Sequence, residues 1–189
     1  MHSDAQLVQS VCHGETAAAV ELVDKFYKRI FAFLRRLSAS DADAADLTQR
    51  TFGRVWQALP GFEGRASLNS WIHSIAYRQF VDWHRSRSRN ETRPDEWWNA
   101  HPAVEPGPDE LLCQRDLATV LFSRVETLGA DLRETVHLHY YQHLTLQETA
   151  DAMGVASSTV KYRLRQALDQ LKKSFETEQT AQSVRAATL

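Results

Sequence analysis

The chain has 189 residues, 43% of them hydrophobic and 24% charged, and 22 Lys and Arg against 24 Asp and Glu leave a formal net charge of -2. This is globular composition for one or two domains, and it excludes a uniformly basic coating protein and an acidic disordered chain. Two cysteines, Cys12 and Cys113, are too few and too far apart for a disulfide scaffold or a zinc knuckle. Residues 1–6 lack a cationic start and an apolar run, so no secretory leader is expected. No stretch approaches the roughly 18 apolar residues of a membrane helix. The expectation is a cytoplasmic protein with no membrane insertion.

Charge divides the chain. Residues 1–90 hold 12 basic and 9 acidic side chains, and residues 111–175 hold 8 and 7. Between them, residues 91–110 hold one basic and six acidic side chains and four of the five prolines, Pro94, Pro102, Pro106 and Pro108. The near-neutral whole is two mildly basic blocks, 1–90 and 111–175, joined by an acidic Pro-rich strap over 91–110. Residues 176–189 are polar and carry no apolar stripe, which suits a flexible tail or a regulatory extension.

Every long periodic segment has helical spacing. Leu22, Phe26, Ile30, Phe33, Leu34 and Leu37 form one stripe of a helix beginning near Glu15. Leu47, Phe52, Val55, Trp56 and Leu59 mark a second, opened by the acidic turn Asp41–Asp43 and stopped by Pro60-Gly61. Ser67 caps a third, with Leu68, Trp71, Ile72 and Ile75 inward. Beyond the strap, Leu117, Leu121, Val125 and Leu128 form a fourth stripe, and Leu132, Val136 and Tyr140 a fifth. The predicted fold is all-α, two small helical domains joined by an extended acidic linker.

The stretch from Thr145 to Arg165 is the most informative. Thr145 and Glu148 make a capping box, Ala150 is small enough for a second helix to cross closely, and Gly154 supplies a left-handed turn. A helix then starts at Ser157 or Ser158 with Val160, Leu164, Ala167 and Leu171 inward. This is the layout of a helix-turn-helix, whose second helix enters the DNA major groove. Its outward residues are Ser158, Thr159, Lys161, Tyr162, Arg163 and Arg165, hydroxyls first and then cations for phosphate. In the N-terminal block, residues 76–89 interleave aromatics and arginines, a pattern suited to unpaired bases and backbone rather than duplex. There Tyr77, Arg78, Trp83 and Arg85 are the residues expected to be exposed.

In order and spacing these motifs resemble the extracytoplasmic-function (group 4) sigma factors of the sigma-70 family. The region 2 pattern is carried by Asp46-Leu47-Thr48-Gln49-Arg50-Thr51-Phe52, Val55-Trp56, Phe62-Glu63-Gly64 and Trp71-Ile72-His73-Ser74-Ile75-Ala76, with Asp82 and Arg85 at its end. The region 4 pattern is carried by Leu128 to Arg133, with Gly129 in place of proline, and by Leu144-Thr145, Glu148, Ala150, Gly154-Val155, Ser158-Thr159-Val160-Lys161 and Arg163-Leu164. Arg50 stands where the family commonly has Glu, and Tyr77-Arg78 replaces Arg-Asn.

The resemblance implies binding without catalysis or cofactor. Asp46, Gln49, Phe52 and Arg54 would dock on the β′ clamp of bacterial core RNA polymerase, and region 4 on the β flap. Phe62, Arg65, Ser67, Tyr77, Arg78, Trp83 and Arg85 would hold the melted -10 element of promoter DNA. Ser157, Ser158, Thr159, Lys161, Tyr162, Arg163 and Arg165 would read the -35 element, and an anti-sigma factor would restrain the whole. The rival reading is a stand-alone helix-turn-helix regulator binding a duplex operator as a dimer. An enzyme is disfavoured, since the sequence has no nucleophile motif, Gly-rich phosphate loop or paired-carboxylate site. His139 and His143 are four apart, which places both imidazoles on one helix face with His137 nearby; packing or surface roles are favoured over a sensor or metal site, because no further ligands to complete one are evident locally.

The strap's charge generates a first prediction. An extended acidic chain mimics nucleic acid electrostatically and suits a basic product-RNA channel. Replacing Asp95, Glu96, Glu105 and Asp109 by their amides should weaken run-off transcription by the reconstituted holoenzyme while leaving the thermal melt unchanged.

Overall fold

A computed structural model describes residues 3–90 and 112–186, and side chains over 3–87 and 119–176. The N-terminal unit contains α1 (Asp4–Cys12), α2 (Thr16–Ser38), α3 (Asp41–Ala58), a 3-10 turn (Leu59–Gly61) and α4 (Leu68–Asn90). Helix α1 was not anticipated, though its signal is present: Ser3 Oγ accepts from Gln6 N at 3.3 Å while Gln6 Oε1 accepts from Ser3 N at 3.0 Å. This capping box starts a helix that buries Leu7 and Val8.

Helix α2 forms because its large apolar side chains recur every three or four residues, and Leu22, Phe26, Ile30, Phe33, Leu34 and Leu37 are all buried as expected. It stops at Ala39, which takes a left-handed conformation and donates its N–H to Arg35 O. Ser40 then caps α3, its Oγ accepting from Asp43 N, with Asp41 and Asp43 against the positive end of the helix. The buried hydroxyls of Thr48 and Thr51 donate back to Ala44 O and Leu47 O, each at 2.7 Å. Val55 is fully buried, whereas Trp56, expected inward, lies at the edge of the buried stripe and is 37% exposed.

The C-terminal unit contains α5 (Leu112–Glu126), α6 (Ala130–Val136), a π-helical turn (His137–Tyr141), α7 (Leu146–Met153) and α8 (Ser157–Ala186). There is no strand among the described residues. The π turn changes the register: Gln142 N donates to His137 O, five residues back, which widens the helix by one residue. Tyr141 therefore packs on the core where the sequence pattern placed Tyr140, which stands 48% exposed. Leu121, expected inward, is 41% exposed while Val125 one turn on is buried; the side chain of Leu117, the first member of that stripe, lies outside the described residues. The polar segment after residue 175 continues α8 to Ala186. The acidic strap over 91–110 lies outside the described residues.

Val125, Leu128, Leu132, Val136, Ala150, Val160, Leu164, Ala167 and Leu171 make a second core. The two units are nevertheless in contact. Leu138, Leu144 and Ala152 belong to the N-terminal core, packed with Leu68, Ile72 and Ala76 of α4.

Two substitutions test this packing. Leu164→Asp buries a charge in the second core and should unfold the C-terminal unit, costing about 3 kcal/mol or more. Gly154 sits at φ 68 with no neighbour within 4 Å of an added Cβ, so Gly154→Ala should cost only the left-handed strain, about 1–2 kcal/mol. Chemical denaturation followed by circular dichroism checks both.

Candidate nucleic-acid interface

The helix-turn-helix is built by local bonds. Thr145 Oγ1 accepts from Glu148 N at 3.2 Å, and Glu148 Oε2 accepts from Thr145 N at 2.9 Å. Gly154 closes α7 in the left-handed region, and Val155 N donates to Ala150 O. With Val160, Leu164, Ala167 and Leu171 turned inward, α8 presents Ser158, Lys161, Tyr162 and Arg165 to solvent, with Ser157 and Thr159 half-buried. Gln166 Nε2 donates to Tyr162 Oη at 2.8 Å, steadying an otherwise exposed ring. Arg163 differs from the expectation of a free base-reading fork: its Nη2 pairs with Asp131 Oδ2 of α6 at 2.6 Å.

Helix α4 and the loop before it carry the second set. Phe62 packs on Trp71 with centroids 5.1 Å apart, and exposed Arg65 pairs with Glu63. Ser67 caps α4, its Oγ accepting from Ser70 N at 3.1 Å. Arg78 and Arg85 are exposed as expected. Two residues depart from expectation. Trp83 is half-buried, its ring 5.9 Å from Phe80 and covered by the Arg87 guanidinium at 5.2 Å. Tyr77 is buried, because its ring lies beside Phe80 and its hydroxyl donates to Glu134 Oε2 of α6 at 2.5 Å. Burial, then the adjacent Glu134 carboxylate, push the Tyr77 phenol well above its ordinary pKa. Burial also raises the Glu134 carboxyl, against the hydrogen bond from Tyr77 and the nearby Arg133.

On α3, Asp46, Gln49 and Arg54 are exposed, Asp46 pairing with Arg50 at 2.7 Å and Arg54 bonding Gln57 at 3.3 Å. Phe52, grouped with them by sequence, is buried beneath Tyr27, whose ring lies 6.1 Å away and is 43% exposed. Tyr27 and, seven residues on from Gln49, Trp56 are the exposed aromatics beside this face.

The histidines separate. His137 is fully buried with Nε2 3.0 Å from Glu126 Oε1, His139 Nδ1 lies 2.7 Å from Leu144 O, and His143 falls beyond the π turn at φ 59. No group of three or more His, Cys, Asp or Glu able to hold a metal occurs among the described residues.

The contacts that sequence reasoning missed join the two units, and of their residues Asn69, Gln142, Arg36 and Phe122 were not singled out. Glu148 Oε1 accepts from Ser67 N at 3.4 Å and Ser67 Oγ at 3.5 Å, and Asn69 Nδ2 donates to Gln142 O at 3.1 Å. Burial alone raises the Glu148 carboxyl, but hydrogen bonds from Ser70, Thr145 and Ser67 outweigh it and hold the carboxyl below its ordinary pKa. Arg36 of α2 lies over the rings of Phe122 and Tyr141, 5.1 and 4.9 Å from their centroids. Local sequence carries no signal for these pairs.

Residues 22–90 match the family profile "Sigma-70 region 2" and residues 125–173 match "Sigma-70, region 4". Among curated relatives, the chain is 31% identical over 168 residues to an ECF RNA polymerase sigma factor, SigE, of Mycolicibacterium smegmatis, covering 85% of this chain and 65% of that protein. It is 28% identical to the ECF sigma factor SigX of Bacillus subtilis, covering 82% of each chain. It is 25% identical to the ECF sigma-E factor of Salmonella typhimurium, covering 88% of this chain and 93% of that one. Two solved structures share the fold. The sigma factor RpoE from Bartonella quintana, in complex with the anti-sigma factor NepR, aligns at TM-score 0.64 and 23% identity, covering 82% of this chain and 95% of that one. CnrH in complex with the cytosolic domain of CnrY aligns at TM-score 0.65 and 19% identity, covering 92% and 97%.

The buried histidines give a pH prediction. Burial, opposed by the Glu126 hydrogen bond, lowers the pKa of His137, and burial lowers that of His73 against its bond to Asn69 O. A folded pKa below the unfolded one makes acid destabilising, so stability is full above pH 6.5 and falls as pH drops through the interval down to the folded values. His137→Gln should reduce that slope in thermal melts recorded across the interval.

Proposed function

The chain belongs to the sigma-70 family, in its extracytoplasmic-function form, and we propose that it binds core RNA polymerase and directs promoter recognition and transcription initiation through -10 and -35 elements. The single observation that carries this reading is the pairing of two units in one chain. A capped helix-turn-helix offers Ser158, Lys161, Tyr162 and Arg165 in groove-reading register, and a region 2 helix carries aromatics and arginines beside it. A regulator that binds an operator alone has no use for the region 2 unit, which disfavours that alternative.

In this reading the work is binding, and it takes place in the cytoplasm. Asp46, Gln49 and Arg54, with Tyr27 beside them, form the face that meets the β′ clamp, while Phe52 supports that face from below. The region 4 unit meets the β flap. Phe62, Arg65, Ser67, Arg78, Trp83 and Arg85 hold the separated -10 strand, and Tyr77 joins them only when its bond to Glu134 is released. Ser158 and Thr159 reach base edges at -35, Lys161, Tyr162 and Arg165 grip backbone, Ser157 supports the helix start, and Arg163 is positioned by Asp131. RpoE is held by an anti-sigma factor, and the proposal extends to a restraining protein of that kind for this chain.

Reconstitution with bacterial core polymerase tests the proposal: the chain should co-purify with core enzyme and support run-off transcription from a selected promoter. Asp46→Lys combined with Gln49→Ala should reduce co-purification without altering the melt. Lys161→Ala should weaken all -35 sequences alike and lower the salt slope by about one. Tight binding to a palindromic duplex without polymerase, and no transcription with it, would overturn the reading.

A further inference from the structure

We propose that Asp131 of α6 sets the sequence preference of the recognition helix α8, by holding the Arg163 guanidinium away from the base edges that α8 would meet. The inference deepens the functional reading above and rests on it, since that reading places α8 in the -35 major groove. It names a residue outside α8 that decides which of its side chains read sequence.

Lys161, Arg163 and Arg165 are the cations on the opening turns of α8. Among the described residues, Arg163 is the one of them with an acidic partner, its Nη2 donating to Asp131 Oδ2 at 2.6 Å. Arg163 follows Thr159 by four residues, so both lie on one flank of the helix. Thr159 is a hydroxyl that the reading above sends to a base edge, and Arg163 stands one turn along the same row. Its side chain is only 18% exposed, because the guanidinium lies back against α6. The carboxylate that holds it is rigidly placed. Asp131 sits in the first turn of α6, between the Gly129 cap, whose carbonyl accepts from Leu132 N and Arg133 N at 3.0 Å, and the buried Leu132. The helix N-terminus favours a charged carboxylate there. Leu132 and Val136 share a core with Val160 and Leu164 of α8, which fixes the separation of the two helices and hence of the pair.

A structural staple is a poor account of this pair. Asp131 remains 71% exposed, and an ion pair so open to water contributes little to stability. Its larger consequence is for recognition. A free arginine fork donates two bonds to guanine N7 and O6, the commonest specific contact of the major groove, whereas serine and threonine hydroxyls discriminate less. Both guanine acceptors are neutral and the Asp131 carboxylate is charged, so the pair holds against a base edge. With Arg163 withheld, α8 reads through Ser158 and Thr159, and a guanine contact within its reach goes unmade.

The test assembles holoenzyme from bacterial core polymerase and the full chain, and selects transcribed templates from a promoter pool with a randomised -35 element. Asp131→Ala should enrich guanine at one -35 position about tenfold over wild type and leave the other positions as they were. Asp131→Asn, which keeps the shape of the helix start, should shift the same position in the same direction. Asp131→Glu keeps the charge and should restore the wild-type profile. Asp131→Ala combined with Arg163→Ala should lose the enrichment, because the fork that makes the contact is gone. An unchanged profile in both Asp131→Ala and Asp131→Asn overturns the proposal. So does a weakening spread evenly over all positions with a lowered melting temperature, the result expected of a staple, or an enrichment that survives without Arg163. The two readings fail separately. A wild type that selects a -35 sequence beside unresponsive Asp131 variants removes the role of Asp131 and leaves the promoter function standing, whereas a chain with which no promoter is transcribed overturns both.

Discussion

The hydrogen bond from Tyr77 to Glu134 joins residues 57 positions apart, and the arrangement of both units depends on the helix it touches. Helix α4 has an apolar side, with Leu68, Ile72, Ala76 and Phe80, that completes the N-terminal core. The helix also carries the Ser67 cap, Asn69 and the Tyr77 hydroxyl, polar groups that lose free energy if they are desolvated without partners. Helices α6 and α7 and the segment between them supply those partners. The proposed reading also assigns Ser67 and Tyr77 to the -10 strand, so on that reading two uses are in competition for one helix.

Groove-reading geometry is independent of this competition. Thr145, Glu148 and Gly154 fix α7 and the turn through bonds within ten residues, and the apolar row from Val160 to Leu171 fixes the rotation of α8. Asp131 draws Arg163 back onto α6, so the cationic surface of the recognition helix is narrower than its sequence suggests, centred on Lys161 and Arg165. Glu148 acts in both settings: it caps α7 and also reaches the N-terminus of α4. The residue that stabilises the DNA-reading motif is thus one that links it to the other unit.

Most features set by near neighbours were legible in the sequence, the Ser3–Gln6 capping box of α1 being the exception. The stripe from Leu22 to Leu37, the Ser67 cap, the Thr145–Glu148 capping box and the left-handed Gly154 all depend on residues within one or two turns. The errors occur where a distant residue or an altered helical period decides. Tyr77 looked exposed because its acceptor lies on another unit, and Phe52 looked like a docking residue because Tyr27, which covers it, sits on a different helix. Tyr140 was placed inward by a spacing of four, which the π turn at residues 137–141 converts to five. Trp56 lies at the edge of the stripe that Val55 centres, and no helix packs over it closely enough to bury it. The exposed members of the candidate site, among them Asp46, Gln49, Arg78, Lys161 and Arg165, were legible as a surface. The contacts of Glu148 with Ser67 were not, since no local pattern couples residue 67 to residue 148.

A distance measured between the two units tests the account most directly. Cys12 is exposed on α1, and a second spin label at Asp169→Cys, with Cys113→Ser, places a probe on α8. Pulsed electron resonance on the free chain should give one narrow distance distribution, replaced by a longer one when core polymerase is added. A broad distribution in the free chain, or one that core polymerase leaves unchanged, would contradict it.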